Sequence, residues 1–207
     1  MAIVVSTLFS ALDGVVEVDP AWHFPYFDDA MGAAVSEDYA DVDVLVLGRV
    51  TYESFAGAWP DREAAGGEDA DFARQLGDVR KVVATRGAQD LGWRNAEAAA
   101  DVVAAVRALR EDASVGKVLV AGSPSVVRQL LAAGVLDELR LLVHPVAARR
   151  GARLFDEGDE VQPLRLLRSE ALPTGVLRLV YAPAELPAAQ ASEDVAGSVW
   201  VQSRPRG

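Results

Sequence analysis

At 207 residues, 51% of them apolar, the chain is long enough for one well-buried core and short for two. Its formal net charge of -11 excludes the broad basic surfaces that nucleic acid and anionic membranes select, so an anionic ligand needs a local group of arginines. Cysteine is absent and His23 and His144 are the only imidazoles, which removes disulfides, thiolate metal sites and cysteine nucleophiles and leaves no metal centre expected.

In chain order, Ile3 to Phe9 is a continuous apolar, β-branched run that predicts a buried strand, and Asp13-Gly14 predicts the turn after it. Pro20 to Tyr26 is an aromatic loop, Trp22-His23-Phe24-Pro25-Tyr26, followed by a predicted helix from Asp28 to Tyr39 with Asp28 and Asp29 at its positive end. Val42 to Leu47 predicts the second strand. It stops at Gly48-Arg49-Val50-Thr51, where a short helix begins that runs to about Ala56 and ends at Trp59-Pro60. Gly66-Gly67 marks a loop, and Asp69 to Leu76 a helix.

Lys81 to Thr85 predicts a third strand, stopped by Arg86-Gly87, and Ala96 to Arg110 reads as one long helix. Lys117 to Ala121 predicts a fourth strand ending in Gly122, after which Ser123 caps and Pro124 opens a helix to Ala133. Val135 to Val146 is a long strand-like run. Leu164 to Leu172 and Val176 to Tyr181, joined by Pro173-Thr174-Gly175, predict a hairpin. These elements give an α/β domain over residues 1–183, a three-layer α/β/α arrangement whose mixed, mostly parallel central sheet is closed by a C-terminal antiparallel hairpin. Residues 184–207 are rich in Pro, Ala and Ser and are expected to form a tail whose one sticky segment is Ser198-Val199-Trp200-Val201.

In a parallel sheet, ligands bind at the carboxyl ends of the strands. Three predicted strand ends carry anion-binding chemistry: Gly48-Arg49-Val50-Thr51, Thr85-Arg86 and Gly122-Ser123-Pro124-Ser125. The first and third open helices and offer backbone N–H groups, and Arg49 and Arg86 add planar guanidinium forks. Together they suit a ligand with separated phosphates, such as a dinucleotide carrying a 2′-phosphate. Neither a G-x-G-x-x-G loop after a strand nor a Walker lysine motif is present. The aromatic residues Trp22, His23 and Phe27 are placed to wall a flat heterocycle, or alternatively to staple the core or a dimer contact. Of the two histidines, His23 is the candidate for substrate contact, because His144 falls in a run that reads as a buried strand.

Leu12-Asp13-Gly14-Val15-Val16, Gly48-Arg49-Val50-Thr51-Tyr52-Glu53, Val118-Leu119-Val120-Ala121-Gly122-Ser123 and Val135 to Pro145, in that order, resemble the dihydrofolate-reductase-like superfamily. The resemblance is to the branch that holds the C-terminal reductase domain of bacterial riboflavin biosynthesis, and it covers roughly residues 3 to 182. It implies an NADPH-dependent reductase acting on a C=N, C=C or C=O bond of a small planar heterocycle or ribosylaminopyrimidine. It assigns Gly48, Arg49, Val50, Thr51, Thr85, Arg86, Gly122, Ser123 and Ser125 to the cofactor, with Ser123 standing where the family often has a second glycine. Asp28 or Asp29 falls where a carboxylate binds a pterin ring, though either also serves as a helix cap. Asp13 and Thr7 fall near the nicotinamide, though Asp13 also makes a turn with Gly14. Two further readings are a reductase using FMN and a catalytically silent nucleotide-binding dimer module. The expected setting is a cytoplasmic homodimer, paired through the apolar run Leu136 to Val146 and Trp200, with a small-molecule substrate and neither nucleic acid nor membrane as partner.

Overall fold

The computed structural model describes residues 1–87, 91–156 and 160–187. Its centre is an eight-stranded sheet ordered β4-β3-β2-β5-β1-β6-β8-β7. Strands β1 (Ile3–Ala11), β2 (Val44–Gly48), β3 (Arg80–Ala84), β4 (Ala96–Ala99), β5 (Lys117–Val120) and β6 (Glu138–His144) run parallel. The hairpin of β7 (Leu164–Ala171) and β8 (Leu177–Pro183) adds to β6 antiparallel. Helices α6 (Val102–Glu111) and α7 (Pro124–Ala132) cover one face of the sheet. On the other face lie α2 (Asp29–Tyr39), α3 (Arg49–Ala56) and α5 (Ala70–Asp78). The three-layer, mostly parallel architecture expected from the sequence is the one present.

Three local expectations are corrected. Pro20 to Tyr26 is helical rather than loop: α1 (Pro20–His23) is capped by the Asp19 carboxylate on Ala21 N, and a 3-10 turn (Phe24–Tyr26) follows. Trp59-Pro60 does not end a helix but opens α4 (Trp59–Ala65), because a proline at the first turn surrenders an N–H that has no helical partner anyway. The single helix expected from Ala96 to Arg110 is split. Ala96–Ala99 pairs with β3 as an edge strand, and Asp101 starts α6 afresh by accepting from Ala104 N at 2.9 Å. Alanine's helix propensity yields there to a ladder of backbone bonds on an open strand edge. The expected tail segment at residues 198–201 lies outside the described residues.

Two buried charges fix the layers to the sheet. Lys81 is 0% exposed, and its ammonium donates to the carbonyls of Gly77 (2.8 Å), Val79 (2.8 Å) and Arg94 (3.0 Å), tying the end of α5 to the loop before β4. It also sits 4.3 Å from the centre of the Trp93 ring. Burial, with Arg94 nearby, pushes its pKa down to about 8. On the same face of the sheet, toward its antiparallel edge, Asp38 near the end of α2 is 1% exposed. It accepts from Thr7 Oγ1 on β1 (2.7 Å), Arg140 on β6 (2.9 Å) and Arg178 on β8 (2.7 Å), so one carboxylate clamps α2 across three strands. Arg178 also reaches Glu37, and Arg140 reaches Glu138.

Removing the carboxylate would take the shared partner from Arg178 and Arg140 and leave them only Glu37 and Glu138. Asp38→Ala is therefore expected to lower the urea unfolding free energy by about 3 kcal/mol, the lower end for a broken buried pair. Arg168→Ala, at the exposed end of the same network, is expected to change it by less than about 0.5 kcal/mol.

Candidate functional site

The strand ends predicted from the sequence meet at one place. The Gly48 N–H at the end of β2 donates to Gly122 O just past β5 (2.9 Å), and the Gly122-Ser123 peptide is cis. Gly122 has φ +122°, a backbone conformation that side chains rarely adopt, and a Cβ there would stand 3.1 Å from Thr51 Oγ1. At Gly48 an added Cβ would meet both Cβ and N of Ser123 at 2.9 Å, so this glycine makes room for the neighbouring turn. Ser123 Oγ and Ser125 Oγ are 2.9 Å apart. Gly48, Thr51, Gly122, Ser123 and Ser125 thus form one ledge where α3 and α7 begin, α7 opening on Pro124 so that Ser125 is its first residue with an N–H.

The other cofactor candidates flank this ledge. Gly48 is in register with Ala84, which places Thr85 and Arg86 at the next strand end along the same edge. Arg86 is exposed and has no ion-pair partner among the described residues. Arg49 is half exposed and bound to Glu53 at 2.6 Å, one turn along α3, and Val50 is 64% exposed. Below the ledge, Tyr52, Glu53, Ala56, Gly57, Pro60, Gly92, Trp93 and Arg94 line an open groove of about 620 Å³ beside α3.

On the other side of the ledge a wall rises. The β1–β5 ladder ends at Ser6↔Val120, whereas the β1–β6 ladder continues to Ala11↔His144. Of the three candidate aspartates near this wall, Asp13 and Asp28 bind backbone. Asp13 accepts from Arg149 N (2.7 Å) and Ala148 N (3.3 Å), which holds the loop after β6 against the turn after β1. Those bonds, the one from Arg149 first, hold the carboxyl below its usual range. Asp28 caps α2 by accepting from Met31 N at 2.9 Å. Asp29 is exposed in the first turn of that helix. Thr7 Oγ1 donates to Asp38 at 2.7 Å.

The two histidines, separately read from the sequence, form a pair. His23 Nδ1 and His144 Nε2 are 3.1 Å apart, with the residues 6% and 0% exposed. The Phe9 ring lies 4.3 Å from His23, Phe27 5.4 Å and Phe24 5.3 Å, while Trp22 lies edge-on to both imidazoles. Burial in this ring cluster, followed by the neighbouring His144, pushes the His23 pKa down to about 4. His144 is lowered by burial as well.

Sequence reasoning missed a basic loop: Arg149, Arg150 and Arg153 are exposed on the loop after β6, in the string Arg149-Arg150-Gly151-Ala152-Arg153. It also misjudged the run Leu136 to Val146 as a pairing surface. That run becomes β6, an interior strand between β1 and β8, with Leu136, Leu139 and Leu142 each at most 3% exposed. Among the described residues no group of three or more His, Asp or Glu is placed to hold a metal ion, and no helix is long and apolar enough to cross a membrane.

The model of the RibD C-terminal domain matches residues 2–178. No curated protein sequence matches the chain. Among solved structures, a pyrimidine reductase-like protein from Corynebacterium diphtheriae superposes with a TM-score of 0.63 at 16% identity, over 89% of this chain and 92% of that one. Acinetobacter baumannii RibD superposes with a TM-score of 0.64 at 16% identity, over 89% of this chain and 59% of that longer protein.

Two measurements test the site's construction. Gly48→Ala forces a methyl against the Ser123 turn and is expected to cost about 1–3 kcal/mol in urea unfolding. The histidine pair should make stability fall with acid. The folded state holds the His23 proton less tightly than the unfolded chain, so unfolding takes up a proton as pH falls from 6.5 towards about 4. Between pH 7 and pH 5 the wild type is expected to lose about 2 kcal/mol, and His23→Gln markedly less.

Proposed function

Since the chain belongs to the RibD C-terminal domain family and has its dihydrofolate-reductase-like fold, we propose that it is an NADPH-dependent reductase of a small, flat, pyrimidine-like heterocycle. The observation that carries this reading is the ledge, where Gly122, Ser123, Gly48 and Thr51 come together at the starts of two helices. A side chain at Gly122 would fill the space beside Thr51, so bare backbone is offered there to a ligand. That fits a dinucleotide pyrophosphate, which favours N–H donors and close backbone approach.

NADPH, when bound, supplies the hydride; the chain supplies position and the exclusion of water. Gly48, Arg49, Val50 and Thr51 hold phosphate at the start of α3, and Ser123 and Ser125 do so at the start of α7. Thr85 and Arg86, one strand farther along the edge, take the 2′-phosphate. To bind phosphate, Arg49 exchanges Glu53 for the ligand, a small loss because an exposed pair of this kind contributes little. Asp13 keeps the loop after β6 closed on the nicotinamide side. The wall of β1 and the N-terminus of α2, with Asp28 and Asp29, bound the substrate side, where Trp22, His23 and Phe27 flank the ring.

A second copy of the chain is proposed to cover the hairpin. Leu166 on β7 and Leu177 on β8 are 49% and 40% exposed, whereas β6 is interior. Sedimentation at the monomer mass would remove this part of the reading.

Thermal unfolding tests the cofactor assignment. At about a hundredfold excess over Kd, NADPH is expected to raise the Tm by about 5–10 °C and NADH by much less. Arg86→Ala is expected to erase that difference. Equal shifts from both nucleotides, or a shift from FMN alone, would overturn the assignment.

A further inference from the structure

The histidine pair carries chemistry that the ledge does not use. His144 Nδ1 lies 3.1 Å from Leu142 O and 3.3 Å from Ser10 O. Carbonyl oxygens only accept, so His144 Nδ1 bears the hydrogen and donates it. In a neutral imidazole the other nitrogen then carries a lone pair, which makes His144 Nε2 an acceptor. The atom facing it at 3.1 Å is His23 Nδ1, which must in turn be the donor. Each step leaves one assignment for the next ring. The chain of hydrogen bonds ends at His23 Nε2, a lone pair with no partner among the described residues. It is not sealed inside either, since the buried side-chain atoms left unpartnered are Trp93 Nε1, Thr174 Oγ1 and Arg178 Nε.

The fold places this lone pair on the substrate side. His144 ends β6 opposite Ala11 at the top of the wall, and α1 sets His23 against it. Phe27, 43% exposed and leading into α2, stands beside the His23 ring, with Trp22 edge-on to it. On α2 the neighbouring carboxylate, Asp28, already accepts from Met31 N. An acceptor bordered by apolar rings discriminates strongly, because a ligand without a matching donor leaves it unpaired and desolvated.

We propose that His144 is a positioning residue that locks His23 in the tautomer protonated at Nδ1, making His23 Nε2 a fixed acceptor that selects heterocycles presenting a ring N–H or hydroxyl donor. The tautomer assignment stands on the two imidazoles alone. The choice of ligand rests on the reductase reading. Neutrality is supported by the burial of both rings, which disfavours their charged forms.

Long-range 1H–15N spectra of the imidazoles at pH 7 test the tautomer in the full chain without ligand. The expected pattern is Nδ1-protonated, Nε2-bare for both rings. An Nε2–H on either ring, or a cationic ring, would overturn the proposal. With NADP+ present, 5,6-diaminouracil is expected to bind about tenfold tighter than its 1,3-dimethyl derivative, which lacks the ring N–H donors. His144→Phe, which keeps a ring but removes the acceptor, should collapse that ratio and let His23 populate Nε2–H. His144→Gln, whose amide oxygen can accept from His23 Nδ1, should restore both. An unchanged ratio in His144→Phe, or equal binding of the two pyrimidines by the wild type, would overturn the selection. So would binding of neither pyrimidine while the Gly48 and Ser123 amides respond to NADP+. Silent Gly48 and Ser123 amides would instead refute the cofactor reading, and the imidazole spectrum would still judge the tautomer.

Discussion

The site depends on strands that stop at different heights. Parallel strands deliver their carboxyl ends to one edge, but an edge of equal heights would offer only a flat rim. Here β5 turns away through a cis peptide at Gly122-Ser123 while β1 and β6 continue pairing to Ala11↔His144. The result is a ledge of backbone beside a wall of side chains. In the proposed reading, phosphate chemistry belongs to the ledge, where helices start, and ring recognition to the wall, where Phe9 and His144 meet the aromatic turn that leads into α2.

Holding that step in place requires the surrounding layers not to slide, and buried polar groups secure them. Asp38 binds β1, β6 and β8 at once, so α2 cannot shift along the sheet without parting from Arg140 and from the buried Arg178. Lys81 does the same for the end of α5 with three carbonyl bonds. Asp13 and Glu17 fasten the loop after β6 by accepting its backbone N–H groups from Arg149 and Ala152. Each group lies away from the ledge or binds only backbone. Their common effect is geometric: they determine where the wall stands relative to the ledge.

The parallel core was legible because its strands are unbroken apolar runs that end in glycine, and a glycine at a strand end is a conspicuous letter. Gly48 and the pair Gly122-Ser123 could be placed together from the sequence, since each sits at the end of its own strand. What was not legible depended on partners distant in sequence. Ala96 to Ala99 has a composition suited to helix, and only the open edge of β3 makes it a strand. Leu136 to Val146 is apolar enough for an interface, and only the arrival of β8 consumes its outer edge. His23 and His144 are separated by 121 positions, so nothing local links them. The same holds for Asp38, which reads as one more charge near a helix end.

This division follows from what each half of the site is made of. The ledge is mostly backbone, and backbone conformation leaves traces in the local sequence: a glycine where a side chain would collide, a serine and proline where a helix opens. The wall is side chains meeting across the sheet, and their pairing is a property of topology. Carboxylates show the consequence most clearly. Asp13 and Asp28 were read as chemical groups because they stand beside motifs, yet in the fold their oxygens accept from Arg149 N and Met31 N. A carboxylate bound to backbone is held in one orientation, which suits an anchor. If the proposed reading holds, the substrate side is left with a neutral imidazole and aromatic faces as its readers. Such a surface would recognise a flat ring by its stacking area and its N–H edge, and would leave negative charge to the arginines elsewhere on the edge.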